Sequence, residues 1–313
     1  MSENKLTILS MTYNHERFIE QTLQGFVEQK TKYPFEVIIS DDCSTDGTAG
    51  IISDYANRYP NIIKPIFREK NLGAGENYKA TQALANTEYV LYCEGDDYFN
   101  DPLKIEKQID FLEENPEFTI CFHPTNFICE NIGKPPQYFP VDPKRKVNED
   151  LFTFDNLLYH NFTETCSVMY RWLFRDGKTI NDALPKNIMP GDWFRHLLHA
   201  REGKIGYIND AMSTYRRHPG GIWFDAAQNN WDMFFIKYGE YHVNFFVQVA
   251  KTFLNNNNIE QYRKKMVLPL AFNVLISFLK HKRTDKIQRF IEICPEEYEF
   301  AVELIRLMST MPA

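Results

Sequence analysis

Between Leu6 and Cys93 four short apolar runs alternate with three longer amphipathic stretches, and few folds accept that order. The runs are LTILSMT (Leu6 to Thr12), FEVIIS (Phe35 to Ser40), IIKPIF (Ile62 to Phe67) and YVLYC (Tyr89 to Cys93), each of strand length and composition. Between them ERFIEQTLQGFVEQ, TAGIISDYANRY and GENYKATQALAN repeat their apolar positions at helical spacing. Strand, helix, strand, helix predicts right-handed crossovers and an α/β fold, Rossmann-like, with a mainly parallel sheet flanked by helices. Ligands of such sheets bind at the carboxyl ends of the strands. Each run here ends in a polar segment at that point: TYNHERF, DDCSTDGT, REKNLGAG and EGDDYF. All four are therefore expected along one edge of the sheet.

Further on, DPLKIEKQIDFLEENPE predicts a helix with Asp101 as N-cap and Pro102 at its first position. FTICFHPTNFI reads as one strand, and CENIGKPPQYFPVDPKRKV (Cys129 to Val147) as an exposed loop or flap. KIGYIN and MSTYRRH read as short strands that finish the sheet, and from Trp223 onward the pattern is helical. MVLPLAFNVLISFL (Met266 to Leu279) is too short to span a bilayer, so a core-packed helix with the basic KHKR after it is expected. A helix lying on a membrane surface is the alternative.

A net charge of −7 argues against general nucleic-acid binding, which needs a phosphate-neutralising basic surface. Any anionic ligand must then be held by local groups or by a metal. The six cysteines form no CxxC pair and no zinc-spaced cluster, and they read as reduced thiols. MSENKLTILSMTYN runs into the first strand without a basic n-region, which predicts a cytoplasmic protein.

Two acidic strand ends carry the chemistry. In IISDDCSTDGT, turn and capping preferences account for Ser44 to Thr48. They do not account for Asp41 and Asp42, adjacent acids of which one must face the crevice and accept from a base N–H or a ribose hydroxyl. In YVLYCEGDDYF an apolar run stops at Glu94, Asp96 and Asp97, whose mutual repulsion is relieved if a cation sits between them. Hard carboxylate oxygens suit Mg²⁺ or Mn²⁺, with water and substrate phosphates completing the shell. NLGAG lacks the third glycine of a dinucleotide fingerprint and follows the third strand, which disfavours an oxidoreductase; a glycine turn opening a helix still presents amides to phosphate.

SMTYNHERFIEQTLQGFVEQ, VIISDDCSTDGT, REKNLGAGENYKA and YVLYCEGDDYF, in this order, resemble the family 2 glycosyltransferases with the GT-A fold. The resemblance covers roughly the first 130 residues. It implies that Asp42, with Asp41 beside it, contacts the nucleotide base. It also implies that Asp97, the last acid of the D-x-D-like element, holds the metal with Asp96 nearby, while Glu94 serves as the first carboxylate or buttresses it. Nucleotide contacts are expected from Thr12, Tyr13, Asn14 and Glu16, from Asn71, Gly73 and Lys79, and from Asp96. The family's catalytic base, a later acid before a helix, maps to Asp192 in IMPGDWFRHLLHA, with an N-cap role as the bland alternative and Glu164 as the competitor. STYRRHPGGIW resembles the segment that covers the diphosphate, giving His218 to the metal and Arg216 or Arg217 to phosphate oxygens. Trp223 either stacks on a sugar or packs.

The resemblance thus implies an inverting, metal-dependent (Mn²⁺ or Mg²⁺) transferase that moves a sugar from a nucleotide-diphosphate sugar, UDP-sugar foremost, to an acceptor hydroxyl. A glycan or lipid-linked acceptor of capsule, lipopolysaccharide or related surface polysaccharide is expected, with peripheral contact at the inner face of the membrane. The expected domains are a catalytic domain at 1–222, with a nucleotide-sugar half to about 125 and an acceptor half after it, and a helical region at 223–313. A sugar-phosphate nucleotidyltransferase is the first rival, disfavoured because TYNHERF lacks a glycine-rich basic loop. A catalytically silent nucleotide-sugar binding protein is the second.

Overall fold

The computed structural model describes residues 4–130, 133–176 and 178–310. The chain divides into two compact units, Met1–Ala183 with His196–His218, and Leu184–Arg195 with Pro219–Ala313.

The first unit contains β1 (Leu6–Thr12), β2 (Phe35–Asp41), β3 (Ile63–Phe67), β4 (Tyr89–Tyr92), β5 (Tyr98–Phe99), β6 (Phe118–Phe122), β7 (Thr125–Cys129), β8 (Gln137–Phe139), β9 (Met169–Arg171), β10 (Lys204–Tyr207) and β11 (Ser213–Arg217). Seven of them form one sheet in the order β10-β6-β9-β4-β1-β2-β3, parallel except where β9 meets β4 and β6. The helices α1 (Ile19–Val27), α2 (Thr48–Arg58), α3 (Ala74–Gln82) and α4 (Lys104–Glu114) supply the crossovers. All seven residues of β1 are buried, because it lies between β2 and β4 in the centre of the sheet. That position explains a nearly unbroken apolar run where an alternating one would mark a half-exposed strand. Its register pairs Thr12 with Asp41, so the loops after β1 and β2 start side by side. Leu6, Ile8, Leu23, Phe26, Val37, Ile39, Leu91 and Ile109 form the centre of the core, each contributing about 1.5–3 kcal/mol by leaving water.

Three expectations are corrected. FTICFHPTNFI is two strands, broken at His123 and Pro124, where proline has no N–H for a ladder; β6 stays in the large sheet and β7 leaves it. MSTYRRH does not finish the large sheet either: β11 belongs to a second sheet of order β5-β11-β7-β8, whose exposed edge β8 lies in the segment expected to be a loop. The helix after Asp101 begins at Lys104, and the Asp101 carboxylate accepts the Leu103 N–H at 2.8 Å in the turn before it. The second sheet is what assembles the site. β5 follows the EGDD turn directly, and its antiparallel pairing with β11 (Thr214 with Tyr98) returns the RRH segment to that turn.

Lys104 is fully buried in this unit. Its Nζ donates to Gln108 Oε1 at 2.6 Å and lies 2.8 Å from His123 Nε2. Burial pushes its pKa from 10.5 down to about 8. The unfolded chain thus holds this proton to higher pH than the folded one, so this group makes stability rise as pH passes from about 8 toward 10.5. Urea unfolding at pH 7 and 9.5 should show a gain of about 2 kcal/mol in the native protein relative to Lys104→Met. An equal pH dependence in the two proteins would mean that burial does not lower the Lys104 pKa.

The second unit is helical, with Trp231–Phe253, Leu268–Lys280, Thr284–Ile293 and Pro295–Thr310 as its main elements. The apolar stretch singled out above is the helix Leu268–Lys280, which buries Ala271, Val274, Leu275 and Phe278. A Cβ at Gly239 would come within 2.7 Å of Val274, so this glycine permits the close approach of the helices Trp231–Phe253 and Leu268–Lys280. Among the described residues no helix is long and apolar enough to cross a membrane.

Candidate active site

The loops after β1 and β2 are tied into one surface. The Asn14 N–H donates to Ser44 Oγ at 2.8 Å, the Thr45 N–H to Asn14 Oδ1 at 2.8 Å, and the His15 N–H to Thr48 Oγ1 at 2.9 Å. Asn14 takes the left-handed conformation (φ 55°), which asparagine tolerates. Thr12 is buried, whereas Tyr13 and Glu16 are exposed, and the Glu16 carboxylate rests over Gly47, where a Cβ would meet its Oε1 at 2.4 Å. The two adjacent acids have different work. Asp41 spends both oxygens on Ser44, accepting its N–H at 3.0 Å and its Oγ–H at 2.5 Å. Asp42 accepts the Leu72 N–H at 2.8 Å and so anchors the glycine turn after β3. In that turn Asn71 Oδ1 accepts the Gly73 N–H at 2.9 Å, Gly73 sits at φ 80°, and Lys79 on α3 is exposed.

The EGDD turn carries the strongest electrostatic signal. Asp97 is buried: its Oδ1 accepts the Arg216 N–H at 2.8 Å, and its Oδ2 is buried with no hydrogen-bond partner among the described residues. Burial, with repulsion from Asp96 and Glu94, lifts its pKa well above the usual carboxylate range. Asp96 points the other way. Its Oδ2 lies 2.9 Å from His218 Nε2 and 3.9 Å from His15 Nε2. Burial pushes the Asp96 carboxyl up, but the His218 hydrogen bond and the attraction of His15 outweigh it and hold it low. Burial lowers the His15 pKa despite the opposing attraction of Asp96. One ligand atom from each of His15, Asp96 and His218 lies within 4.8 Å of the other two, a donor set that fits a divalent ion. Gly95 allows this convergence, since a Cβ there would stand 2.6 Å from Thr12 Oγ1 and 3.1 Å from His15 Nδ1.

The geometry bears on two assignments. Asp96, not Asp97, reaches His218; Asp97 is held by the β11 backbone. Arg216 is buried, sandwiched between the rings of Phe18 and Tyr98 (4.9 Å each), with its guanidinium donating to the Asp96 carbonyl and to Gln21 Oε1. It braces the turn. Arg217 lies over Phe127 at 4.6 Å and 4.0 Å from Glu164 Oε1. Sequence reasoning passed over His15, and the only signal for it was a histidine within TYNHERF. Glu94 is half-buried beside the turn. Two residues belong to the second unit: Asp192 lies in the first turn of the helix Gly191–Ala200, inside the helix and not at its N-cap, and Trp223 stacks on Phe234 at 4.9 Å, the packing alternative.

The model of glycosyl transferase family 2 matches residues 7–178, more than half of the chain. The chain belongs to that family. It is 43% identical over 221 residues to an uncharacterized protein of Mycobacterium tuberculosis, covering 71% of this chain and 61% of the relative. The chain thus spans about three fifths of the length of the curated relatives it matches first. The poly(ribitol-phosphate) β-N-acetylglucosaminyltransferase TarS of Staphylococcus aureus is 34% identical over 97 residues, 31% of this chain and 17% of TarS. Residues 1–349 of TarS, solved with UDP, superpose with a TM-score of 0.59 at 20% identity, covering 95% of this chain and 83% of that one. The mannosyltransferase PcManGT of Pyrobaculum calidifontis, solved with GDP-Man and Mn²⁺, gives a TM-score of 0.58 at 13% identity, covering 99% and 89%. These likenesses establish the GT-A fold.

Proposed function

We propose that this family 2 chain transfers a sugar, with inversion, from a UDP-sugar to an acceptor hydroxyl. The observation that carries the proposal is the convergence of Asp96 and His218 at the carboxyl end of β4, beside the Asp42 loop. Asp42 contacts the nucleotide, Asp41 only supports its turn, and the Asn71–Gly73 turn with Lys79 borders the same edge. Asp96 and His218 would hold a divalent ion, which when bound supplies positive charge against the diphosphate as it leaves. Asp97 and Arg216 keep that turn in place, Arg217 is the cation left for phosphate, and Asp192 takes the proton from the attacking hydroxyl. The assignment of Asp192 rests on its place in the motif, a later acid at the start of a helix. A lipid-linked or glycan acceptor in surface-polysaccharide synthesis fits the relatives. Tyr138 and Phe139, 54% and 49% exposed beside Lys144, Arg145 and Lys146, support contact with an anionic membrane.

Calorimetric titration with UDP, GDP, dTDP and CMP, each with Mn²⁺, Mg²⁺ or chelator, tests the donor site. One nucleoside diphosphate should bind, and only with metal. If none of the four binds under any condition, the donor-site reading fails.

A further inference from the structure

His15 lies outside the pair of residues just assigned to the metal, yet the chain fixes it at that point from two directions. Its N–H is held by Thr48 Oγ1 at 2.9 Å, and its carbonyl accepts the N–H groups of Phe18 at 2.8 Å and Ile19 at 2.9 Å, where α1 begins. Its ring is thereby turned edge-on to His218, with centroids 6.0 Å apart, and its Nε2 is directed toward the Asp96 oxygen that His218 also approaches. The three side chains come from the β1 loop, the β4 loop and the end of β11. A Cβ at position 95 would come within 3.1 Å of the His15 ring, so the glycine of EGDD is required for Asp96 to come this close.

We propose that His15 is a third protein ligand of the ion, with Asp96 and His218, and that this two-imidazole, one-carboxylate set makes the site select a first-row transition ion such as Mn²⁺ over Mg²⁺. Bonds near 2.1 Å place neighbouring ligand atoms about 3 Å apart and opposed ones about 4.2 Å apart. The distances of 2.9 and 3.9 Å to the shared oxygen, all within a 4.8 Å triangle, need only small side-chain adjustments to meet those values. Mg²⁺ demands oxygen ligands in a near-ideal octahedron and keeps its waters, whereas imidazole nitrogen favours transition ions. Two histidines therefore penalise Mg²⁺ where an all-carboxylate site would not. The proposal rests on the transferase reading for its location but concerns the ion alone.

The test is direct Mn²⁺ binding, followed by the loss of the free-ion EPR signal with and without UDP, with Mg²⁺ as competitor. The native protein should bind Mn²⁺ at least about tenfold more tightly than Mg²⁺, and His15→Gln should remove most of that margin by weakening Mn²⁺ alone; tenfold is the scale on which even an outer-shell partner acts. Pulsed EPR of the bound Mn²⁺ should show nitrogen couplings from two imidazoles in the native protein and from one in His15→Gln. The native spectrum alone decides the matter should the variant fold poorly. A single imidazole in the native protein, or unchanged Mn²⁺ affinity in a folded His15→Gln variant, overturns the proposal while UDP binding preserves the transferase reading. If the native protein binds neither Mn²⁺ nor UDP, both are overturned.

Discussion

Asp96→Ala abolishes metal-dependent nucleotide binding and leaves the fold standing. The carboxylate supplies the oxygen shared by His218 and His15, so its removal takes the charged ligand from the only cluster of histidine and carboxylate groups found among the described residues that could hold an ion. Its backbone carbonyl still accepts from Arg216, and the Asp97 carboxylate still receives the Arg216 N–H, so the turn keeps its brace. UDP affinity in Mn²⁺ should fall by at least about 100-fold, the upper end of what even an outer-shell change produces, to the background level seen in chelator. Circular dichroism and thermal unfolding provide the control. Asp97→Asn should behave in the opposite way: Asp97 Oδ1 is tied to β11 and the side chain is buried, so the main loss is in melting temperature. Nucleotide binding that survives in Asp96→Ala and fails in a folded Asp97→Asn would return the metal to Asp97.

Asp192→Asn lowers turnover by about 10²- to 10⁴-fold, the range a positioned general base contributes, and leaves donor binding unchanged. Asparagine keeps the shape of the side chain and loses only the ability to take a proton. Asp192 lies in the first turn of its helix, where a negative charge stabilises by about 0.3–1 kcal/mol, so a small drop in stability accompanies the loss of rate. Steady-state kinetics with donor saturating, set beside calorimetric donor binding, separate the two effects. Glu164→Gln is the companion variant, because Glu164 lies in the first unit beside Arg217. Turnover lost in Glu164→Gln and retained in Asp192→Asn would move the base to Glu164. Donor binding with no turnover in the native protein under any acceptor would leave a nucleotide-sugar binding protein.

The central sheet was legible because its signal is local. Leu6 to Thr12, Phe35 to Asp41, Ile63 to Phe67 and Tyr89 to Tyr92 lie within a residue of the runs read from the sequence, since a buried parallel strand carries its apolar pattern in consecutive residues. The second sheet was not legible. All four of its strands are only two to five residues long, β8 lies in a proline-rich stretch, and β11 reads identically whichever sheet it joins. The break between β6 and β7 was marked by Pro124, but HP within an apolar run did not by itself show that the chain changes sheets.

At the level of single residues the same division holds. The sequence by itself determined that four polar segments follow four parallel strands and that acids stand at two of those ends, because strand order and side-chain chemistry are properties of neighbouring residues. Only the tertiary structure decided where each of these acids points, because that follows from the packing of distant elements. Asp41 and Asp42, or Asp96 and Asp97, differ by one position, and successive residues leave the backbone in different directions. Asp41 turned into its own loop toward Ser44, and Asp97 turned inward to the β11 backbone, while Asp96 met His218 and His15. His15 and His218 are 203 positions apart, and the pairing of β5 with β11 brings one to the other through backbone hydrogen bonds between residues distant in the chain. No local pattern encodes such a contact.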